Sequence, residues 1–173
     1  VTDQREEQLH YANRELLESQ ERLGRFVDTD PLTALASRRN LRRALDAVTA
    51  TGGALVFIDV NRLRDINALF GQPIGDHSLQ RLARLISRHF RAEDHLIRWG
   101  GDEFLVVAPG MDESSARMRV AALREELRQP ARELPPMSIA AGVAPLAAGD
   151  EPAAALEEAD RRMVADKPGG SSA

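Results

Sequence analysis

Two carboxylates, Asp102 and Glu103, stand directly after a glycine pair, Gly100-Gly101, between short apolar runs at 96–99 and 104–108. That layout predicts a β-hairpin whose tip the glycines allow to turn tightly. Adjacent anions at a tight tip repel each other, which any solvated loop tolerates, so these four residues alone do not define a site. Asp59 adds a reason to read them as one. It follows Ala54-Leu55-Val56-Phe57-Ile58, a continuous apolar run of the kind that forms a buried central strand. Strand exits are where α/β sheets place ligand-contacting groups, although Asp59 taken alone could equally cap the helix that follows. With the hairpin beside this strand, Asp59, Asp102 and Glu103 converge from two places in the chain. Three carboxylates without His or Cys make a hard oxygen set suited to Mg²⁺ or Mn²⁺, and Mg²⁺ commonly works with substrate phosphates.

Holding these groups takes a sheet and helices to cover it. Helices are predicted over 38–48, ended by Gly52-Gly53, over 62–70, and over 78–90, where Leu79, Leu82, Ala83 and Ile86 form an apolar stripe. After the hairpin come a helix near 113–128, a proline-rich loop at 130–136, a strand over 137–144 and a last helix over 152–166. This alternation predicts an α/β (α+β) fold, a central mixed sheet covered by helices. Ahead of it, 2–27 contains no proline and is rich in Glu, Gln, Arg and Leu, a long helix. Leu9, Leu16 and Leu23 recur every seven residues, with Ala12 and Phe26 three further on, as in a coiled-coil seam. The helix could instead pack on the following domain, but its apolar stripe is narrow for full burial, which favours dimerisation. Asp28-Thr29-Asp30-Pro31 breaks it, because the residue before proline is pushed out of the helical region. The chain therefore divides into an N-terminal helix, 1–29, and a domain, 30–173.

Composition narrows the function classes. The 173 residues are 43% hydrophobic and 29% charged, and no apolar run approaches the roughly 18 residues of a membrane span. There is no cysteine and no basic-then-apolar leader, which fits a cytoplasmic setting. A formal net charge of −4 argues against a broad nucleic-acid-binding face.

Arg98-Trp99-Gly100-Gly101-Asp102-Glu103-Phe104 carries the signature of the GGDEF family, and the flanking segments resemble that family in order and spacing. Asp30-Pro31-Leu32-Thr33-Ala34-Leu35 resembles its opening motif and Phe57-Ile58-Asp59-Val60-Asn61 its strand ending in D-x-D. Asn67 and Asp76 match its guanine-binding pair, Ser138-Ile139-Ala140-Ala141-Gly142-Val143 its late strand, and Ala159-Asp160 with Lys167 its final helix. The resemblance covers Asp30 to about Lys167. It implies a nucleotidyl-cyclase-like fold and a diguanylate cyclase that joins two GTP molecules into cyclic di-GMP. By the same resemblance Asp59, the Val60 carbonyl, Asp102 and Glu103 hold two metal ions, Mg²⁺ or Mn²⁺, with Asp102 and Glu103 the catalytic pair and Asp102 near the attacking hydroxyl. Asn67 and Asp76 take the guanine. Arg64 stands at a phosphate-contacting lysine, Gln72 at a histidine of the substrate site, and Lys167 at a phosphate lysine. Backbone amides of 61–63, at a helix start, would add anion binding.

Arg91-Ala92-Glu93-Asp94 matches the R-x-x-D product-inhibition motif, with a solvated loop ion pair as the bland alternative. Because each domain takes one GTP, the resemblance also implies a homodimer, gathered by the leading helix acting as a signalling element below a sensor that this chain does not contain. Several positions depart from the family. Ala34 replaces a glycine, Ser37 an asparagine, Asn61 the second aspartate of D-x-D, Leu63 a phenylalanine, Ala68 an aspartate and Val164 a tyrosine; Ser171 stands where a phosphate-binding arginine is expected. Losing one such contact weakens GTP binding by about 1.5–3 kcal/mol. A catalytically silent module that binds GTP or cyclic di-GMP as a regulatory receptor is the competing reading, and the complete carboxylate set with its guanine pair favours the enzyme.

Overall fold

The computed structural model describes residues 2–26 and 28–169, and the side chains of 4–19 and 28–169. The apolar run predicted as a central strand is β2 (Gly53–Val60), antiparallel to both β4 (Glu103–Pro109) and β5 (Ile139–Leu146). β3 (His95–Arg98) pairs antiparallel with β4, and a two-residue strand, β1 (Ala36–Ser37), adds in parallel to β3. The mixed sheet runs β1-β3-β4-β2-β5.

Both faces are covered, so the run in β2 is continuous although its partners are antiparallel. Val56, Ile58, Phe104 and Val106 meet Leu82 and Ile86 of α4 (Gln72–His89) and Val120 and Leu123 of α5 (Glu113–Arg128). On the opposite face Leu55, Phe57, Leu105 and Val107 meet Ala44 and Val48 of α2 (Leu41–Thr51) and Ala159 and Met163 of α6 (Pro152–Asp166). Alternate residues of each strand feed alternate cores. Each fully buried Leu, Ile or Phe contributes roughly 1.5–3 kcal/mol. Gly142 sets the approach of α6 to β5: a Cβ there would lie 2.1 Å from the Ala159 carbonyl oxygen.

Several boundaries differ from the sequence expectation. The helix expected over 78–90 starts six residues earlier, at Gln72, because Pro73 falls in the first turn, where proline is tolerated. A short 3₁₀ turn (Arg38–Asn40) precedes α2, α3 (Leu63–Phe70) starts one residue later than expected, and β5 spans Ile139–Leu146 instead of 137–144. The N-terminal helix, α1 (Thr2–Phe26), is present, and Leu9 and Leu16 are 63% and 58% exposed, so this part of the seam is not buried against the domain. The side chains of Leu23 and Phe26 lie outside the described residues, as does Ser171.

Candidate active site

The antiparallel ladder sets Asp59, next to last in β2, directly opposite Glu103, the first residue of β4. Like charges facing each other across a ladder are destabilising unless something compensates them. The hairpin tip adds Asp102, whose carbonyl accepts from the Val60 N–H at 3.0 Å. Carboxylate oxygens of Asp59, Asp102 and Glu103 all lie within 4.8 Å of one another.

The tip is held by contacts that spacing alone does not reveal. Trp99 and Gly100 donate their N–H groups to the Glu103 carbonyl at 2.9 and 3.2 Å. Arg98 donates to the carbonyls of Gly100 (3.2 Å) and Gly101 (2.8 Å) and, from its other nitrogen, to Asp30 at 3.1 Å. Asp30 also accepts from the Thr33 N–H (2.9 Å) and hydroxyl (2.7 Å). Burial works to raise the Asp30 carboxyl, but the bonds from Thr33 and Arg98 outweigh it and hold it below its ordinary value. In the same turn Ala34 has φ 62°, the left-handed region that favours glycine. The glycine of the family pattern at this position therefore has a backbone reason.

Asp59 is 4% exposed. Its Oδ2 accepts from the Lys167 ammonium at 2.7 Å, while Oδ1 is buried without a hydrogen-bond partner. Burial pushes the Asp59 carboxyl up, the Lys167 bond pulls it down, and the Asp102 charge pushes it up again, leaving it raised. Glu103 is raised too, by burial first and then by the charges of Asp59, Asp102 and Asp160. The bond to Asp59 in turn holds the Lys167 ammonium above its ordinary value. A cluster that strains to ionise, keeps an orphaned buried oxygen and recruits an ammonium fits a divalent cation, whose charge would reverse these shifts.

A cavity of about 300 Å³ opens onto these groups, lined by Asp59, Val60, Asn61, Arg64, Asp102 and Lys167 among others. Its rim is the turn entering α3. Asn61 is tied to the start of β5, its N–H donating to the Ser138 carbonyl (2.9 Å) and its amide to the Ser138 hydroxyl (3.0 Å). Arg62 then takes a left-handed conformation, φ 57° and ψ 37°, which costs roughly 1–2 kcal/mol and aims the chain into the helix.

Asn67 on α3 lies against α4, which is possible because residue 75 is glycine: a Cβ there would fall 1.7 Å from the Asn67 Oδ1. That oxygen is buried without a partner, and Asp76, the next residue, is half-buried. Gln72 is exposed at the first position of α4. These three belong to the α3–α4 pair and are not part of the lining of the 300 Å³ cavity. Arg91 and Asp94 lie at the other end of β4, where Arg91 donates to the Pro109 carbonyl at 2.7 Å, about 20 Å along the strand from Glu103. Arg91 closes on Asp94, donating from Nη2 (2.7 Å), from Nε and from its own backbone N–H (2.7 Å), and the Asp94 side chain is fully buried. The pair is thus not a solvated one. Sequence reasoning missed the roles of Arg98–Asp30, Gly75 and Ser138; for Asp30 the only local signal was its turn with Thr33.

The family model for the diguanylate cyclase GGDEF domain matches residues 27–173. The chain is 33% identical over 159 residues to the response regulator PleD of Caulobacter vibrioides, covering 84% of this chain and 35% of that protein. It is 42% identical over 94 residues to the probable diguanylate cyclase DgcE of Escherichia coli, 51% of this chain and 8% of that one. The chain therefore spans about a third or less of the length of these curated relatives. Among solved structures, the GGDEF domain of YfiN (TpbB) from Pseudomonas aeruginosa superposes with a TM-score of 0.71 at 32% identity, over 80% of this chain and 87% of that one. The coiled coil and GGDEF domain of DgcB from Caulobacter crescentus, solved with c-di-GMP, shares the fold at a TM-score of 0.75 and 24% identity, over 97% and 95% of the two chains. The chain belongs to the GGDEF domain family.

Proposed function

We propose that this protein is a diguanylate cyclase, condensing two GTP molecules into cyclic di-GMP and two pyrophosphates as a metal-dependent homodimer. The observation that carries the reading is the convergence of Asp59, Asp102 and Glu103 with an unpartnered buried oxygen on Asp59. The cyclase names of DgcE and related proteins support it. Mg²⁺ or Mn²⁺, two per active site, would be held by Asp59, the Val60 carbonyl, Asp102 and Glu103. When bound, such ions polarise the α-phosphate and neutralise the charge that develops there.

The remaining work falls to the chain's own groups. Asn67 offers a donor and an acceptor, and Asp76 accepts from the guanine N1–H and amino group, a combination that selects guanine over adenine. Arg64 and Lys167, with the N–H groups at the start of α3, bind and orient the triphosphate, and Gln72, at the start of α4, contributes to the substrate site. In each half of the reaction the 3′-oxygen of one GTP bonds to the α-phosphorus of the other, the α–β bridging bond breaks, and pyrophosphate leaves. The hydroxyl proton passes to the Asp102 carboxylate, with Glu103 alongside, and then to solvent. Ring closure needs two domains facing each other with antiparallel nucleotides. The exposed Leu9 and Leu16 of α1 support a coiled coil that gathers them and transmits the state of an upstream sensor. GTP as substrate places this activity in the cytoplasm. Arg91 and Asp94 are assigned to product inhibition.

Incubation with GTP and Mg²⁺, followed by chromatography, tests the reading. Cyclic di-GMP that disappears in Asp102→Ala and Glu103→Ala is the expected result. Absence of product from a protein that still binds cyclic di-GMP would support the silent receptor instead.

A further inference from the structure

β5 is an edge strand, and three of the backbone groups on its free edge are taken up by side chains of α5 and α6. By the alternation of an antiparallel ladder, residues 139, 141, 143 and 145 turn their backbone polar groups away from β2. Arg124 of α5 donates to the Ile139 carbonyl at 2.6 Å, Asp166 of α6 accepts from the Ala141 N–H at 2.9 Å, Arg162 of α6 donates to the Val143 carbonyl at 2.5 Å, and residue 145 is proline, which has no N–H. Arg124 also pairs with the same Asp166 oxygen that takes the Ala141 N–H. Such closure protects an edge from unwanted strand pairing. Its position suggests a second role.

Asp166 is the last residue of α6, and Lys167 follows it directly. The apolar packing of α6 stops at Met163; residues 164–166 are exposed. A cleft of about 640 Å³, lined by Arg117 and Arg124 on the α5 side and Arg162 and Asp166 on the α6 side, keeps the last turn off the body of α5. What ties that turn down is the Asp166 carboxylate, held by Ala141 and Arg124. The other end of the clip, Ile139, is the ladder partner of Val60, one residue beyond Asp59. One polar chain thus connects the base of the Lys167 side chain to β5, the neighbour of the strand that carries the carboxylate Lys167 reaches, 2.7 Å away.

We propose that Asp166 and Arg124 are positioning residues for Lys167, fixing the end of α6 so that the ammonium is delivered to the triphosphate side of the cavity. The inference rests on the cyclase reading, in which Lys167 is a phosphate contact. A free lysine loses rotamer freedom when it is held, and a swinging helix end would add to that loss; a clipped end is pre-organised. The residue at 171 being serine where the family pattern has a phosphate-binding arginine makes the aim of Lys167 more consequential here.

The test is binding of a GTP analogue with a methylene group between the α- and β-phosphorus, in Mg²⁺, by titration calorimetry, alongside GTP turnover. Asp166→Ala is expected to weaken analogue binding and raise KM about three- to tenfold, with kcat changed less. Asp166→Asn, whose amide oxygen can still accept from Ala141, is expected to recover part of the loss. In the Lys167→Ala background, Asp166→Ala is expected to add nothing, because its effect passes through the lysine. Additive losses, or an Asp166→Ala protein of unchanged affinity and normal thermal stability, would overturn the inference and leave the cyclase reading standing. A wild-type protein that does not bind the analogue would overturn the cyclase reading itself, and this inference with it.

Discussion

At the scale of single residues, the site is a set of local disadvantages that a cation and a nucleotide would relieve. Asp59 faces Glu103 across the ladder, and both carboxyls are pushed up, first by burial. Asp59→Asn is therefore expected to lower cyclic di-GMP formation at least about 100-fold and to abolish the rise in melting temperature that Mg²⁺ with GTP gives the wild type, as read by thermal shift. A second disadvantage has nothing to do with chemistry. Ala34 holds φ 62°, and Ala34→Gly should stabilise the fold by about 1 kcal/mol, measured by urea denaturation. The three carboxylates were legible in the sequence because a strand exit and a glycine turn are local signals. The Arg98–Asp30 bond joins residues 68 apart, and no periodicity or spacing connects them. Gly75 was illegible for a similar reason: its meaning is the Asn67 side chain of another helix lying where its Cβ would be.

At the scale of elements, the apolar runs identified β2, β3 and β4 within a residue or two, since β2 and β4 are buried on both sides and Ile97 anchors β3 in the core. Helix starts were harder. The helix expected from residue 78 begins at Gln72, because a proline in the first turn forfeits an N–H that has no helical partner anyway. β1, two residues long, carries no pattern at all. Packing between elements yields its own prediction. Gly142→Val would drive side-chain atoms into the Ala159 carbonyl and the Met163 nitrogen, 2.1 and 2.3 Å from the added Cβ. It is expected to cost about 3 kcal/mol and to lower the melting temperature by roughly 6–12 °C. On α1, the exposed Leu9 and Leu16 belong to the proposed dimer seam, so Leu9→Glu with Leu16→Glu should shift the protein towards monomer in sedimentation velocity and reduce turnover at equal protein concentration.

At the scale of the whole molecule, the domain gathers the residues proposed for one half-reaction. Asp59, Asp102, Lys167 and Arg64 border one cavity, the proposed guanine pair sits on α3 and α4, and the Arg91–Asp94 pair stands at the far end of β4. On the cyclase reading a single domain takes one GTP and has no second α-phosphorus to offer its 3′-hydroxyl. The central claim is therefore joint: these carboxylates catalyse, and two copies must meet. The most direct measurement is the initial rate of cyclic di-GMP formation from GTP and Mg²⁺ as a function of protein concentration, with Asp102→Ala as the control. The account predicts product from the wild type, a rate per protein that rises with concentration until the dimer is complete, and no product from the variant. Wild-type protein that is dimeric and binds GTP yet makes no product, or a variant that makes as much as the wild type, would contradict it.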